Sequence, residues 1–170
     1  MKAKISIYVF IVLFGIISTS CTKEGMQGPA GQDAAVYYSE WFAPSAWSGA
    51  SGDWYFDASA PDLTKSIVEG GVILSYVWLS GDLYTSTAVR PLPAYAIGAN
   101  WSFLIHQYGS IEFTSDMIAQ PGTSGNKFRF IAIPGVATAL KSSSLNSKSA
   151  NELRSMSYAD VCKLYHIKEY

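Results

Sequence analysis

The chain has little of the residue types that build common catalytic and metal sites. Its 170 residues include only two histidines and two cysteines, and no G-x-S-x-G sequence occurs. An activated nucleophile needs a base and an orienting acid beside it, and a structural zinc ion needs four closely spaced ligands. We therefore expect no enzymatic activity, no metal and no cofactor.

Charge is also scarce. Charged residues make up 15% of the chain, whereas 49% of the residues are hydrophobic and 14% are aromatic. A chain that fails to fold has the opposite balance, so this composition predicts a globular domain. Lys2 and Lys4 lie in the first 20 residues, and without them ten basic residues remain against thirteen acidic ones. The negative balance and the scattered basic residues argue against nucleic-acid binding.

Residues 1–20 have the composition of an export signal. Lys2 and Lys4 precede an apolar stretch over residues 5–17, which three hydroxyl residues at positions 18–20 follow. This order is typical of a signal peptide that is removed from the mature protein. The alternative is a transmembrane helix, but a spanning helix needs about 20 apolar residues. We therefore predict a cleaved signal.

Cys21 follows this signal directly and resembles the cysteine of a bacterial lipobox. Ser20 and Thr19 suit the small positions of that motif, and Ser18 stands where an aliphatic residue is usual. We predict a lipid on Cys21, with simple secretion and a Cys21–Cys162 disulfide as the alternatives. Attachment through two or more acyl chains is stable, so the predicted partner of the anchor is a membrane. Cys162 is then left as a small apolar residue.

Residues 21–34 are predicted to form a tether. Positions 25–33 make three consecutive G-x-y triplets, a repeat that is too short here for a stable collagen triple helix. With Cys21 and the later apolar segments, this arrangement resembles small lipoproteins of Bacteroidota-type bacteria that carry a short collagen-like stretch before a β-rich domain. The resemblance implies a lipid-anchored outer-membrane protein, with display at the cell surface as one orientation, and it supplies no activity. It rests on residues 21–24, 28–31, 63–74 and 158–167.

Residues 35–170 have the pattern of an all-β domain. Short apolar or alternating segments are separated by turn residues, which favours an antiparallel β-sandwich, with a closed β-barrel as the alternative. Residues 72–79 are apolar on both faces and are predicted to be the central strand, whereas two prolines place residues 90–93 at an edge or in a loop. The predicted strands are residues 36–42, 53–57, 72–79, 101–106, 111–114 and 127–133.

Two segments of this domain are predicted to be helical. Thr64 can cap a single turn that Gly70 closes. Ser157 and Asp160 form the sequence of a capping box, after which apolar residues recur at helical spacing through Tyr165. We therefore expect a short C-terminal α-helix. The Ser-rich stretch over residues 142–149 before it has no predicted role.

Trp47 is the one candidate ligand-binding residue. It lies in a loop over residues 43–52 that is rich in Ser, Ala and Gly and has no alternation that would bury an indole ring. An exposed indole is a platform on which sugar rings stack. The interpretation that we favour is nevertheless a loop residue whose ring folds back onto the sandwich, and sugar stacking is the alternative.

The remaining polar candidates are predicted to be ordinary surface groups. His106 is interpreted as a polar-face strand residue, and His166 as favourably placed at a helix C-terminus. In each of two pairs, the carboxylates lie four residues apart in the sequence. Along a strand, the two members of such a pair would be about 13 Å apart. The two carboxylates of a glycosidase are about 5 to 9 Å apart, so this separation is too large. The pairs are Asp53 with Asp57 and Glu112 with Asp116.

These observations favour one function and leave an alternative. The favoured function is a lipid-anchored envelope protein with a non-catalytic structural or interaction role, whose partner is another envelope protein. The alternative is a glycan-binding module displayed at the cell surface and using Trp47.

Overall fold

The computed structural model describes residues 36–82, 88–135 and 148–169. The signal, Cys21, the tether and most of the Ser-rich stretch lie outside these residues. The described elements belong to one compact unit, Asp33–Tyr170. They are β1 Tyr37–Tyr38, β2 Ser48–Ala50, β3 Asp53–Ser59, α1 Lys65–Gly70, β4 Val72–Trp78, β5 Val89–Pro91, β6 Ala94–Ala96, β7 Ala99–Leu104, β8 Ser110–Ser115, β9 Lys127–Ile133, α2 Ala150–Ser155 and α3 Tyr158–Tyr165.

The nine described strands form two antiparallel sheets. One has four strands in the order β1-β9-β4-β5, and the other has five in the order β2-β3-β8-β7-β6. The two sheets do not close into a barrel, so the predicted β-sandwich is confirmed. β4 lies inside its sheet and β5 at its edge, as the apolar run and the prolines predict.

Aromatic rings fill the space between the sheets. Phe128 on β9 lies 5.0 Å from Phe56 on β3 and 4.8 Å from Phe113 on β8, measured between ring centroids. Alternation along β9 turns Phe128, Phe130 and Ala132 into this core. The inward side chains of the two sheets therefore form one continuous apolar layer.

A second apolar cluster lies on the other face of the four-stranded sheet. Leu74 and Ile131 project from that face and belong to one buried cluster with Leu153 of α2 and Val161 and Cys162 of α3. β4 and β9 consequently bury side chains on both faces, which explains the nearly unbroken apolar sequence of β4.

The C-terminal region contains two helices, whereas the sequence pattern predicts one. α3 begins as predicted, because the Ser157 hydroxyl accepts a hydrogen bond from the backbone N–H of Asp160. α2 precedes it and has a complete capping box: the Ser149 hydroxyl accepts from the Glu152 N–H, and the Glu152 carboxylate accepts from the Ser149 N–H.

Several strand boundaries also differ from the prediction. β1 covers only Tyr37–Tyr38, and the rest of the predicted strand contributes a single bridge between Phe42 and Phe128. β2 and β6, each three residues long, are additional strands. Such short edge strands are fixed by pairing with a neighbour, because three residues are too few to show a period.

The outer face of the five-stranded sheet carries exposed side chains, and we call it the open face. The second apolar cluster, which packs against α2 and α3, contains no side chain from this sheet. Since Phe56 and Trp101 point into the core, their neighbours along each strand point outward. The open face therefore carries Tyr55, Asp57, Tyr95, Leu104, Glu112 and Thr114.

Candidate functional site

Two residues were singled out from the sequence as sites, and the structure bears on one of them. Cys21 lies outside the described residues, so lipid attachment stays a prediction. Trp47 is described and is only 5% exposed. Its ring meets Phe56 edge-on at 4.8 Å between centroids, and Nε1 donates to the Gly122 carbonyl at 3.4 Å. The hypothesis of an exposed sugar-binding platform at Trp47 is therefore wrong, because the ring is part of the core.

The ring is buried by contacts from distant segments, as the interpretation of a loop folded back onto the sandwich predicts. Phe128 and Trp101 each lie 6.0 Å from it, and the Gln120 side chain donates to its carbonyl at 3.0 Å. Burial of this single large apolar side chain stabilises the inward position of the loop, although the rest of the segment is polar.

Asp116 does not pair with Glu112. Its two carboxylate oxygens accept hydrogen bonds from the backbone N–H and the side-chain amide of Asn100, both at 2.6 Å. The side-chain amide, followed by the backbone N–H, holds the pKa of Asp116 below its usual value. Asp116 therefore pins the start of β7 to the end of β8.

Asp57 and Glu112 meet instead across two strands. They are directly opposed in the β3–β8 register and point to the open face. His106, just beyond the end of β7, lies over both: Nε2 is 3.8 Å from Asp57 Oδ1, and Nδ1 is 3.8 Å from Glu112 Oε2. One potential ligand atom from each residue can be chosen so that all three lie within 4.8 Å of one another. We call these residues the Asp57–His106–Glu112 cluster.

The side chains of this cluster are accessible to solvent. The Asp57 side chain is 50% exposed, that of His106 44% and that of Glu112 18%. Like charges directly opposite each other on a sheet are destabilising, so the two carboxylates need a positive partner. In the described part of the chain, each carboxylate forms an ion pair with His106, and neither forms one with a lysine or arginine. The cluster can therefore share a proton on His106 or hold a cation.

Sequence reasoning missed this cluster because it considered carboxylates within one strand. Both predicted pairs stay apart, and Asp57 and Glu112 come together through a register that links positions 55 residues apart along the chain. Alternation does place each of them on the polar face of its strand. Their mutual approach depends on strand order, which the sequence pattern does not specify.

A second polar centre lies between the four-stranded sheet and α3. Arg129 is 1% exposed, and Nε donates to the Ser39 carbonyl at 2.8 Å. Its Nη1 donates to the Tyr158 hydroxyl at 2.5 Å and to the Lys168 carbonyl at 2.7 Å. Burial raises the pKa of Tyr158 to about 12, so this hydroxyl stays protonated at neutral pH. The arrangement joins β9 to the segment after β1 and to the C-terminal residues.

Cys162 lies near this centre and carries a free, buried thiol. Burial raises the pKa of that thiol above its usual value, which keeps the unreactive protonated form. Cys162 is therefore the small apolar packing residue that the sequence predicts.

Two clefts lie away from the Asp57–His106–Glu112 cluster. One of about 400 Å³ is lined by Tyr38, Phe42, Asp62 and Phe130 among others, and a second of about 290 Å³ lies beside Leu92 and Met156. Neither cleft is lined by a residue of the cluster. The acidic and imidazole groups are thus on a surface and not in a pocket that would exclude water.

No family model, curated protein or solved structure matches the chain in comparisons with known proteins. In the described part of the chain, no helix has the length and apolar character needed to cross a membrane. Function is therefore inferred from the residues of the chain itself.

Proposed function

We propose that this chain is a lipid-anchored protein of the cell envelope, attached to the outer membrane, with a non-catalytic structural or interaction role. The observation that carries the proposal is the order of segments: an export signal, Cys21, a Gly-rich tether and then a folded domain. A tether between a lipid and a compact domain positions the domain near the membrane without burying any of its surface there.

The interaction role is supported by a difference between the two sheets: in the described residues, helices pack on the outer face of the four-stranded sheet but not on that of the five-stranded sheet. α2 and α3 contribute to the cluster on one outer face of the sandwich, while the open face carries Tyr55 at 37%, Leu104 at 43% and Tyr95 at 67% exposure. Tyrosine provides contact area together with a hydroxyl that can hydrogen-bond, and it is enriched at protein interfaces. We assign the contact with an envelope protein to this face.

A non-catalytic role is supported by the position of the polar groups. General acid–base catalysis gains from a site that excludes water and fixes the substrate. Asp57 and His106 are each about half exposed and lie on the outer surface of a sheet. Glycan binding through Trp47 is not part of the proposal, because that ring is buried.

The anchor is tested with the full chain expressed in a Gram-negative host. Wild-type protein is expected in the membrane fraction, and Cys21→Ala is expected to give an unprocessed or soluble form because no lipid can be attached. Cys162→Ala is the matched control, since it removes the other cysteine and leaves the anchor intact. Mature Cys21→Ala protein that remains in the membrane fraction would contradict the proposal.

A further inference from the structure

We propose that the Asp57–His106–Glu112 cluster is a binding site for a divalent transition-metal ion, with Zn²⁺ as the ion that it fits best. The sequence alone predicts no metal, because its two histidines and two cysteines lack ligand spacing. The fold changes this expectation by bringing one imidazole and two carboxylates together. The proposal goes beyond the envelope role and does not depend on the lipid.

β3 and β8 fix the positions of Asp57 and Glu112, and His106 projects from the bend that follows β7. β8 lies between β3 and β7 in the sheet. Glu112 on the middle strand is paired with Asp57 on one side and with Leu104 on the other, and His106 lies two residues beyond Leu104. Side chains on adjacent strands are held more precisely than side chains on loops.

The distances are close to those of an occupied site. The ligand atoms lie within 4.8 Å of one another. Bonds of about 2.0 to 2.2 Å in a tetrahedral arrangement would place them roughly 3.4 Å apart. The difference is at most about 1.4 Å, and rotation of the Asp57 and His106 side chains, each about half exposed, can shorten the distances.

The charge of the cluster also suits a divalent cation. Two carboxylates and a neutral imidazole carry two negative charges, which one divalent ion neutralises. A proton on His106 would neutralise only one of them. In the described part of the chain, both carboxylates are paired with His106 and neither forms an ion pair with a lysine or arginine.

The donor set favours zinc over the hard cations. Ca²⁺ and Mg²⁺ prefer oxygen ligands, whereas imidazole nitrogen suits Zn²⁺ and its neighbours among the transition metals. Three protein ligands would leave one position of a tetrahedral ion to water. We therefore infer an exchangeable surface site that joins β3, β8 and β7 and can accept a fourth ligand from a partner.

The test measures Zn²⁺ binding to the chelator-treated full chain in detergent by titration calorimetry. All variants carry Cys21→Ser, so that an unlipidated thiol does not bind zinc. We expect one Zn²⁺ per chain and a loss of affinity of about tenfold or more with His106→Gln or with Asp57→Asn. Circular dichroism of each variant checks that the β-structure is kept.

Two matched controls use the chain's own residues. His166→Gln removes the only other histidine, and Asp53→Asn removes a carboxylate four residues from Asp57 on the same face of β3. Both are expected to bind Zn²⁺ within about twofold of the parent. The proposal is overturned if the parent binds no Zn²⁺, which would leave His106 as a proton-sharing partner of the carboxylates. It is also overturned if folded His106→Gln binds as tightly as His166→Gln.

Discussion

Arg129 is the residue whose environment differs most from what its type leads one to expect. A buried charge is costly unless hydrogen bonds compensate it, and the ion pairs of the described residues include none for this guanidinium. Carbonyl oxygens of Ser39 and Lys168 accept its hydrogen bonds. Aromatic faces complete the surroundings: Tyr38 at 5.1 Å, Trp41 at 5.9 Å and Tyr158 at 6.0 Å from the guanidinium carbon.

These contacts explain how the two ends of the domain are joined. The Trp41 indole donates to the Glu169 carbonyl at 2.9 Å, and the Tyr158 hydroxyl donates to the same oxygen at 2.7 Å. Arg129 reaches these groups from β9. The guanidinium therefore supplies hydrogen-bond donors to carbonyl groups of irregular backbone.

We predict that Arg129→Ala destabilises the domain by more than about 3 kcal/mol. The carbonyl groups of Ser39 and Lys168, in part-buried contacts, would lose a donor, and removal of a side chain that is 1% exposed would leave a cavity. Urea unfolding followed by tryptophan fluorescence measures the difference. Arg154→Ala, at an exposed position in the last turn of α2, should cost less than about 1 kcal/mol. Equal losses for the two variants would show that the buried contacts contribute little.

At the scale of elements, β4 and β9 organise the domain because each is buried on both faces. Val77 belongs to the core between the sheets, and Leu74 belongs to the cluster beneath α2 and α3. The two helices are short, six and eight residues, and helices of this length gain most of their stability from packing. Side chains of β4 and β9 should therefore determine whether the helices form.

We predict that Leu74→Ala costs about 2 to 5 kcal/mol, since it leaves a cavity under the helices. The same change should lower the helical signal in circular dichroism before the β-structure is lost on heating. Lys148→Ala, at an exposed position ahead of α2, should stay within about 0.5 kcal/mol of wild type. A Leu74→Ala variant as stable as Lys148→Ala would mean that the helices do not rest on β4.

The sequence predicts the strands with a clear period and misses those without one. Residues 127–133 alternate well enough that the predicted and observed strands coincide, and residues 53–57 identify most of β3. β2 and β6 escape prediction because pairing, and not composition, defines three-residue strands. α2 begins at a capping box, Ser149 to Glu152, that is readable in the sequence but follows a Ser-rich stretch that favoured a loop interpretation.

The candidate site shows the same limit more strongly. Polar alternation places Asp57 and Glu112 on outer faces, yet only the β3–β8 register makes them neighbours. Trp47 folds back from a polar loop, as the favoured interpretation predicts, but the sequence pattern does not specify the distant rings that bury it. Local patterns therefore predict which face a side chain takes, and strand order decides which side chains meet.

At the scale of the whole molecule, the proposed function joins a folded domain to a membrane through one residue, Cys21. The sandwich contributes packing, the open face contributes exposed tyrosines and the Asp57–His106–Glu112 cluster, and residues 21–34 are proposed to contribute reach. None of these parts needs to touch the bilayer, because acyl chains alone supply about 0.8 kcal/mol for each buried CH₂ group. The chemical state of Cys21 is thus the point on which the proposed function depends.

The most direct measurement is the mass of the mature protein isolated from the membrane fraction, with fragmentation of its N-terminal peptide. The account predicts a chain that begins at Cys21 and carries acyl groups on that residue, with Cys162 unmodified. An N-terminus at another position, or an unmodified Cys21 in membrane-bound protein, would contradict the lipid anchor and with it the proposed role in the envelope.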